Sequence, residues 1–285
     1  MINGSPEMTQ LTVSPGGSLV VNSGATIRVA GSCEIAGNIT VYPGTGGGIA
    51  GAVSNSTLSR NISPAHPGGS YRPAGVGGFG TNADPVPGGL GGESIVTSEV
   101  GTLGAIKSVS ILAGGSGAAG NGAHGGRGGG AFALICRDGI TILNTGSINA
   151  DGGNSTSGGG GGAGGYILLA SATSITNNGQ INARGGNGGE SSSRIGAGGG
   201  GGGGVIRMIA PTVTAGTVVV TGGAAGSTAT PVTDSPRLGG SGGGAFGGLG
   251  GAGGAVDPDN SIVGAAAGGT GVVVVTQRDP LASIL

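Results

Sequence analysis

Apolar positions along this chain come in short, β-branched bursts, and no stretch carries a helical period. Near the start the bursts are Leu11-Thr-Val13, Ser18-Leu-Val-Val21, Ala25-Thr-Ile-Arg-Val29, Cys33-Glu-Ile35 and Asn38-Ile-Thr-Val41. Runs of three to five residues with Val and Ile at alternate positions predict short strands. Pro-Gly-Gly, Asn-Ser-Gly and Ala-Gly separate them, and these residue types supply tight turns. The arrangement reads as turns of a β-helix or as a tight meander.

Further along, a phrase repeats. Gly146-Ser-Ile148-Asn-Ala-Asp151-Gly-Gly153 matches Gly179-Gln-Ile181-Asn-Ala-Arg184-Gly-Gly186, and Gly216-Thr-Val218-Val-Val-Thr221-Gly-Gly223 follows in the same form. A longer apolar segment precedes each copy: Ala131 to Cys136, Tyr166 to Ala170 and Val205 to Ala210. A looser copy spans Ser108 to Gly115. The unit reads as glycine run, strand, turn, short strand, Gly-Gly, and periods of this size mark stacked repeats. Asn144-Thr145-Gly146 and Asn177-Asn178-Gly179 supply residues that accept positive φ at the turns. Gly271-Val-Val-Val-Val-Thr276 predicts the last strand, stopped by Arg278, Asp279 and Pro280.

The repeat spacing varies mainly in its glycine part, which places the insertions on one side of the stack. Glycine fills 76 of the 285 positions, much of it in runs such as 158–165 and 198–204. Such chains adopt an extended three-residue helix without internal hydrogen bonds. Lacking Cβ, several of them can lie close enough to bond to one another. Isolated Ala, Ser and Asn in the runs then point outward, and flexible linkers are the plainer alternative. The predicted fold is all-β: solenoid-like stacked short strands combined with a layer of packed polyglycine II helices. Residues 1–43 form a short-strand domain, 44–107 a Pro/Gly-rich irregular insertion or linker, and 108–285 the glycine-rich repeat domain. The stretch 224–259 is irregular in the same way as the insertion.

Composition narrows the function. Three Phe, three Tyr and no Trp leave few large core fillers, while 8% charged residues and a mean hydropathy of +0.24 separate the chain from disordered sequences. The absence of a proline surplus and of a strict three-residue glycine period excludes collagen. The net charge is −1 with no basic stripe, which argues against nucleic acid. No apolar run approaches the roughly 20 residues of a membrane span, and the N-terminus lacks a signal-peptide pattern. A role outside the cell then implies release by lysis or within a particle. Cys33 and Cys136 either pair or remain as buried thiols, and their apolar neighbours favour the thiols.

Catalysis needs convergent groups, and the chain offers only His66 and His124. No metal-ligand spacing or nucleophile motif accompanies them, and chance Gly-x-Gly-x-x-Gly matches lack a following helix. The chain is read as a non-enzyme without cofactor or metal. Asp151 and the Asp257-Pro-Asp259-Asn260 segment are too few for a calcium cage. Thr212-Val-Thr214 and Thr217 to Thr221 suggest ice-binding faces that are not sustained from module to module. Binding candidates cluster in the irregular parts: His66, Tyr71, Arg72, Phe79, Arg237 and Phe246. Phe132 and Tyr166 open strands after glycine runs and are read as packing residues clamping two layers.

Residues 108 to 276, in which glycine runs alternate with short apolar segments, resemble the glycine-rich adhesin tips and tail-fibre proteins of tailed bacteriophages. The resemblance implies polyglycine helices packed as a sandwich, self-association with other virion or filament proteins, and distal loops that bind a cell-surface glycan or protein. The strand content and the scaffold-like N-terminal strands depart from that pattern. A capsid-decorating or filament-forming protein without receptor binding is the alternative. A secreted glycine-rich surface or ice-binding protein is a third. The first two imply location on a virion or extracellular particle.

Overall fold

The structure, a computed structural model, describes residues 6–42, 125–156, 158–191, 196–227, 237–238, 242, 248–256 and 262–280. It is all-β with parallel sheets, and no helix occurs among the described residues. The first sheet holds β1 (Glu7–Met8), β4 (Ala25–Val29), β7 (Ala131–Cys136), β10 (Tyr166–Ser171), β13 (Val205–Ala210) and β19 (Val272–Gln277), in that order. The second holds β2 (Leu11–Val13), β5 (Cys33–Ile35), β8 (Ile140–Ile142), β11 (Ser174–Asn177) and β14 (Thr212–Thr214). The third holds β3 (Ser18–Asn22), β6 (Asn38–Tyr42), β9 (Ser147–Asn149), β12 (Gln180–Asn182) and β15 (Thr217–Val219).

The chain therefore lays one strand in each of three sheets and then returns to the first. Pairing is parallel throughout these sheets, which excludes the meander, whose neighbouring strands run antiparallel. The strands of residues 7–42 and those of 131–277 are direct neighbours in the same sheets, through β4–β7, β5–β8 and β6–β9. A small antiparallel sheet of β16 (Arg237–Leu238), β17 (Ala255–Val256) and β18 (Ile262–Val263) forms within and beside a stretch expected to be irregular. The looser copy at 108–115 lies outside the described residues.

Each repeat contains three strands where the sequence reading gave two. β8, β11 and β14 follow the longer strand after only one to three residues, at Pro211 in the last case. With only one or two apolar residues each, they read as a continuation of that strand. Glycine's role at the next corner also differs from expectation. Gly146 and Gly179 do not adopt positive φ; the left-handed glycines include Gly139 (φ 130°) and Gly216 (φ 56°). A Cβ on Gly146 would run into the carbonyl oxygen of Ile35, and one on Gly179 into that of Gly146. Close stacking of successive corners, rather than backbone handedness, requires those two glycines.

Register builds the core as columns. Ile27, Leu134, Leu169 and Met208 occupy one column of the first sheet, and Ala25, Phe132, Ile167 and Ile206 another. All eight are buried, together with Ile35 and Ile142 from the second sheet and Ile39, Ile148 and Ile181 from the third. Because each turn is small, a side chain is buried by its equivalents above and below; full burial stabilises by about 1.5–3 kcal/mol per large aliphatic residue. The first sheet is buried on its other face too, by Ala133, Tyr166, Leu168, Val205 and Ile209. That explains why β7 and β10 read as near-continuous apolar runs and β13 as one broken only by Arg207.

Cys33 and Cys136 form a disulfide, Cα to Cα 6.2 Å, so the expectation of free thiols is corrected. The stack brings β5 and β7 of consecutive turns to a shared corner, a proximity that a separation of 103 residues conceals in the sequence. At the other edge of the first sheet lies β19, the last strand among the described residues, where inward-facing Val273 and Val275 are 40% and 44% exposed.

Candidate functional site

The glycine-rich segments all leave the stack at one corner, between the third sheet and the first. Only Ser23 and Gly24 join β3 to β4, whereas residues 150–165 join β9 to β10 and 183–204 join β12 to β13. Each of these longer connections has an outgoing arm and a returning arm, and the arms of successive turns lie side by side.

Their backbones bond from arm to arm. Returning arms run parallel, with the amides of Gly126 and Gly129 donating to Gly160 and Ala163 at 2.7 Å. In the next pair, Gly161 and Gly164 donate to Gly199 and Gly202 at 2.8 Å. Outgoing arms pair likewise, Gly152 donating to the carbonyl of Arg184 and Gly185 to that of Thr221. Outgoing and returning arms run in opposite directions. Gly198, Gly201 and Gly204 donate to Gly189, Gly186 and Ala183, and Gly223 and Gly226 donate to Gly201 and Gly198. Donors of one arm that serve the same neighbour lie three residues apart. This periodicity lets one arm serve several neighbours and satisfies buried peptide groups that strands of the sheets do not reach.

The missing Cβ is what permits this spacing. On Gly162 a Cβ would collide with the carbonyl of Arg127, on Gly201 with that of Gly162, and on Gly268 with that of Gly201. A second file runs through Gly186 against Gly153 and Gly223 against Gly186. Asn154 and Asn187 point outward as expected, but Ala163 and Ala197 are fully buried within the layer. Their methyl groups fit because not every residue of an arm faces a neighbouring backbone.

A polar ladder follows the seam where the third sheet gives way to the arms. Ser147 Oγ donates to Asn38 Oδ1 (2.8 Å), Asn149 Nδ2 to Ser147 Oγ (2.9 Å) and Asn182 Nδ2 to Asn149 Oδ1 (2.6 Å). Arg184 continues it, its guanidinium donating to Asn182 Oδ1 (3.0 Å) and its amide to Asp151 Oδ1 (2.6 Å). Burial pushes the Asp151 carboxyl above the ordinary carboxylate range, opposed by that amide and by the Arg184 charge. Farther out, Asn154 accepts from the Asn187 amide (2.8 Å), and Asn187 from Ala224 (2.9 Å). The signal for this ladder was the repeated Ile-Asn-Ala phrase, which sequence reading used only to find the repeat. The second sheet presents a file of Thr12, Glu34, Thr141, Thr176 and Thr214, a run of threonines broken by one carboxylate.

Tyr166 and Arg207 share the outer face of the first sheet, both buried, Arg207 at 2% exposure. Burial pushes the tyrosine hydroxyl up to about 12, with the nearby Arg207 charge acting in the opposite sense. Phe132 and Tyr166 thus lie on one sheet but on opposite faces, Phe132 toward the interior columns and Tyr166 away from them.

His66, Tyr71, Arg72, Phe79 and Phe246, as well as His124, Asp257, Asp259 and Asn260, lie outside the described residues. Arg237 is in β16, apart in sequence and sheet from the parallel body. Asp151 is engaged by Arg184, and no group of three or more potential metal ligands occurs among the described residues. No helix there is long and apolar enough to cross a membrane. Comparison with protein-family models, with curated proteins and with solved structures gives no match for this chain.

Proposed function

We propose that the chain is a β-solenoid flanked by a polyglycine II layer, serving as a rigid structural component of a virion, such as a tail fibre or tip, that contacts the host surface. The observation that supports this reading is the three-residue exchange of backbone hydrogen bonds among the glycine arms. Three residues per turn without internal bonding is the geometry of that helix. A body whose layers are joined by backbone bonds resists bending, which suits a part that transmits or withstands force. The side chains that line it are spent on packing and on ladder bonds between turns.

Two experiments test the assignment. Cryo-electron microscopy of intact particles should find the protein at the end of a tail or fibre, and purified protein should bind intact host cells in a saturable manner. A regular lattice over the shell, or absence from particles, would sink the adhesive reading. The exposed Val273 and Val275 of β19 favour one alternative: a filament or decorating subunit that seats this sheet edge on another protein. Polymerisation without cell binding would select it.

A further inference from the structure

The longest stretch of sequence between successive described strands, residues 43–130, separates β6 from β7. The two turns before it are held to the body by β4–β7, β5–β8 and β6–β9, whose registers span five, three and three residues. Across this junction a side-chain cross-link joins consecutive turns: Cys33 of β5 to Cys136 of β7. Both cysteines are 1% exposed, at a corner where the Cys33 amide donates to the Gly139 carbonyl (2.9 Å) and Arg137 donates to Val29 (3.0 Å).

We infer that this disulfide is a redox-conditional lock that fastens the first two turns to the repeat body. Without the bond, the N-terminal turns are held to the body by strand pairing and packing alone and can peel away. With it, separation is prevented at the junction itself. Closing a loop of this length favours the docked state by roughly a thousand-fold in the opening equilibrium. The lock forms by exchange with a low-molecular-weight disulfide. The two cysteine thiols lose two electrons and two protons, one sulfur–sulfur bond forms, and the reagent leaves as two thiols. Reducing compartments keep the lock open and oxidising surroundings close it. The inference does not depend on the virion reading.

Hydrogen exchange read by mass spectrometry tests it on the full chain. Protein folded under a reducing thiol and quenched by alkylation should carry two blocked cysteines, and protein folded with oxidised glutathione should carry none. In the reduced form, peptides covering β4 to β6 should exchange about a thousand-fold faster. Peptides covering β10 and β13 should be unchanged. The C33A/C136A pair should reproduce the reduced pattern, and should it fail to fold, reduction of protein already folded gives the same comparison. Two alkylatable thiols after oxidative folding would overturn the inference. So would acceleration spread evenly over all three sheets, or no acceleration in β4 to β6.

Discussion

Alanine substitutions along the glycine arms provide a graded test of whether the arms form a packed layer. At Gly201 the added methyl would be forced against the carbonyl of Gly162 and the amide of Ala163, both backbone atoms without a side-chain rotation to relieve them. The arms must separate there. The two bonds that flank the contact, from Gly161 to Gly199 and from Gly164 to Gly202, are the first to be lost. Each buried bond broken costs about 1–3 kcal/mol, so Gly201→Ala should destabilise by roughly 2–6 kcal/mol. For a chain of this size that lowers the melting temperature by about 10 °C. At Gly153 the nearest atoms stand 3.1 Å and 3.4 Å away on Arg127, and a shift of a few tenths of an ångström suffices. Gly153→Ala should therefore cost less than about 1 kcal/mol. At Gly264 nothing lies within 4 Å, so alanine should be neutral or stabilise by up to about 1 kcal/mol through the unfolded chain. Urea unfolding of the three variants, followed by circular dichroism, gives the order directly. If Gly201→Ala falls within about 0.5 kcal/mol of Gly264→Ala, the arms are linkers and the packed layer is wrong.

Leu169→Ala removes a buried side chain from the column between Leu134 and Met208 and should cost about 2–5 kcal/mol. Val275→Ala, at the exposed end of the same column, should cost less than about 1 kcal/mol, and equal losses by urea unfolding would contradict the columnar core. Tyr166 ionises at about 12 in the folded protein against 10.0 as its ordinary value. Its contribution to stability is complete below pH 10 and is lost as pH rises toward 12, by roughly 1.4 kcal/mol per unit at most. The wild-type urea midpoint should fall through that window more steeply than that of Tyr166→Phe, and parallel curves would show that Tyr166 is not the group responsible.

Strand positions were legible because each short strand carries its own local pattern of β-branched residues bounded by turn formers. That held from Leu11–Val13 through Val272–Gln277. The middle strands of the repeats were not, since Thr212–Thr214 has one apolar residue and follows Ala210 after a single proline. Of the candidate site, the Gly-Gly phrases and the common side of the glycine insertions were readable from spacing alone. The ladder of Asn149, Asn182 and Arg184 was not, because the bonds that join its turns, Asn182 to Asn149 and Arg184 to Asp151, link residues a whole repeat apart in the sequence.

By itself the sequence determined the β-class, the repeat and the places where no side chain is allowed, because these follow from local propensity and from glycine's lack of Cβ. Tertiary structure decided the parallel pairing, the third strand of each turn, the pairing of Cys33 with Cys136 and the partner of every glycine arm. All of these depend on which turn lies against which. That is settled by stacking residues 20 or more positions apart, and no local pattern encodes it.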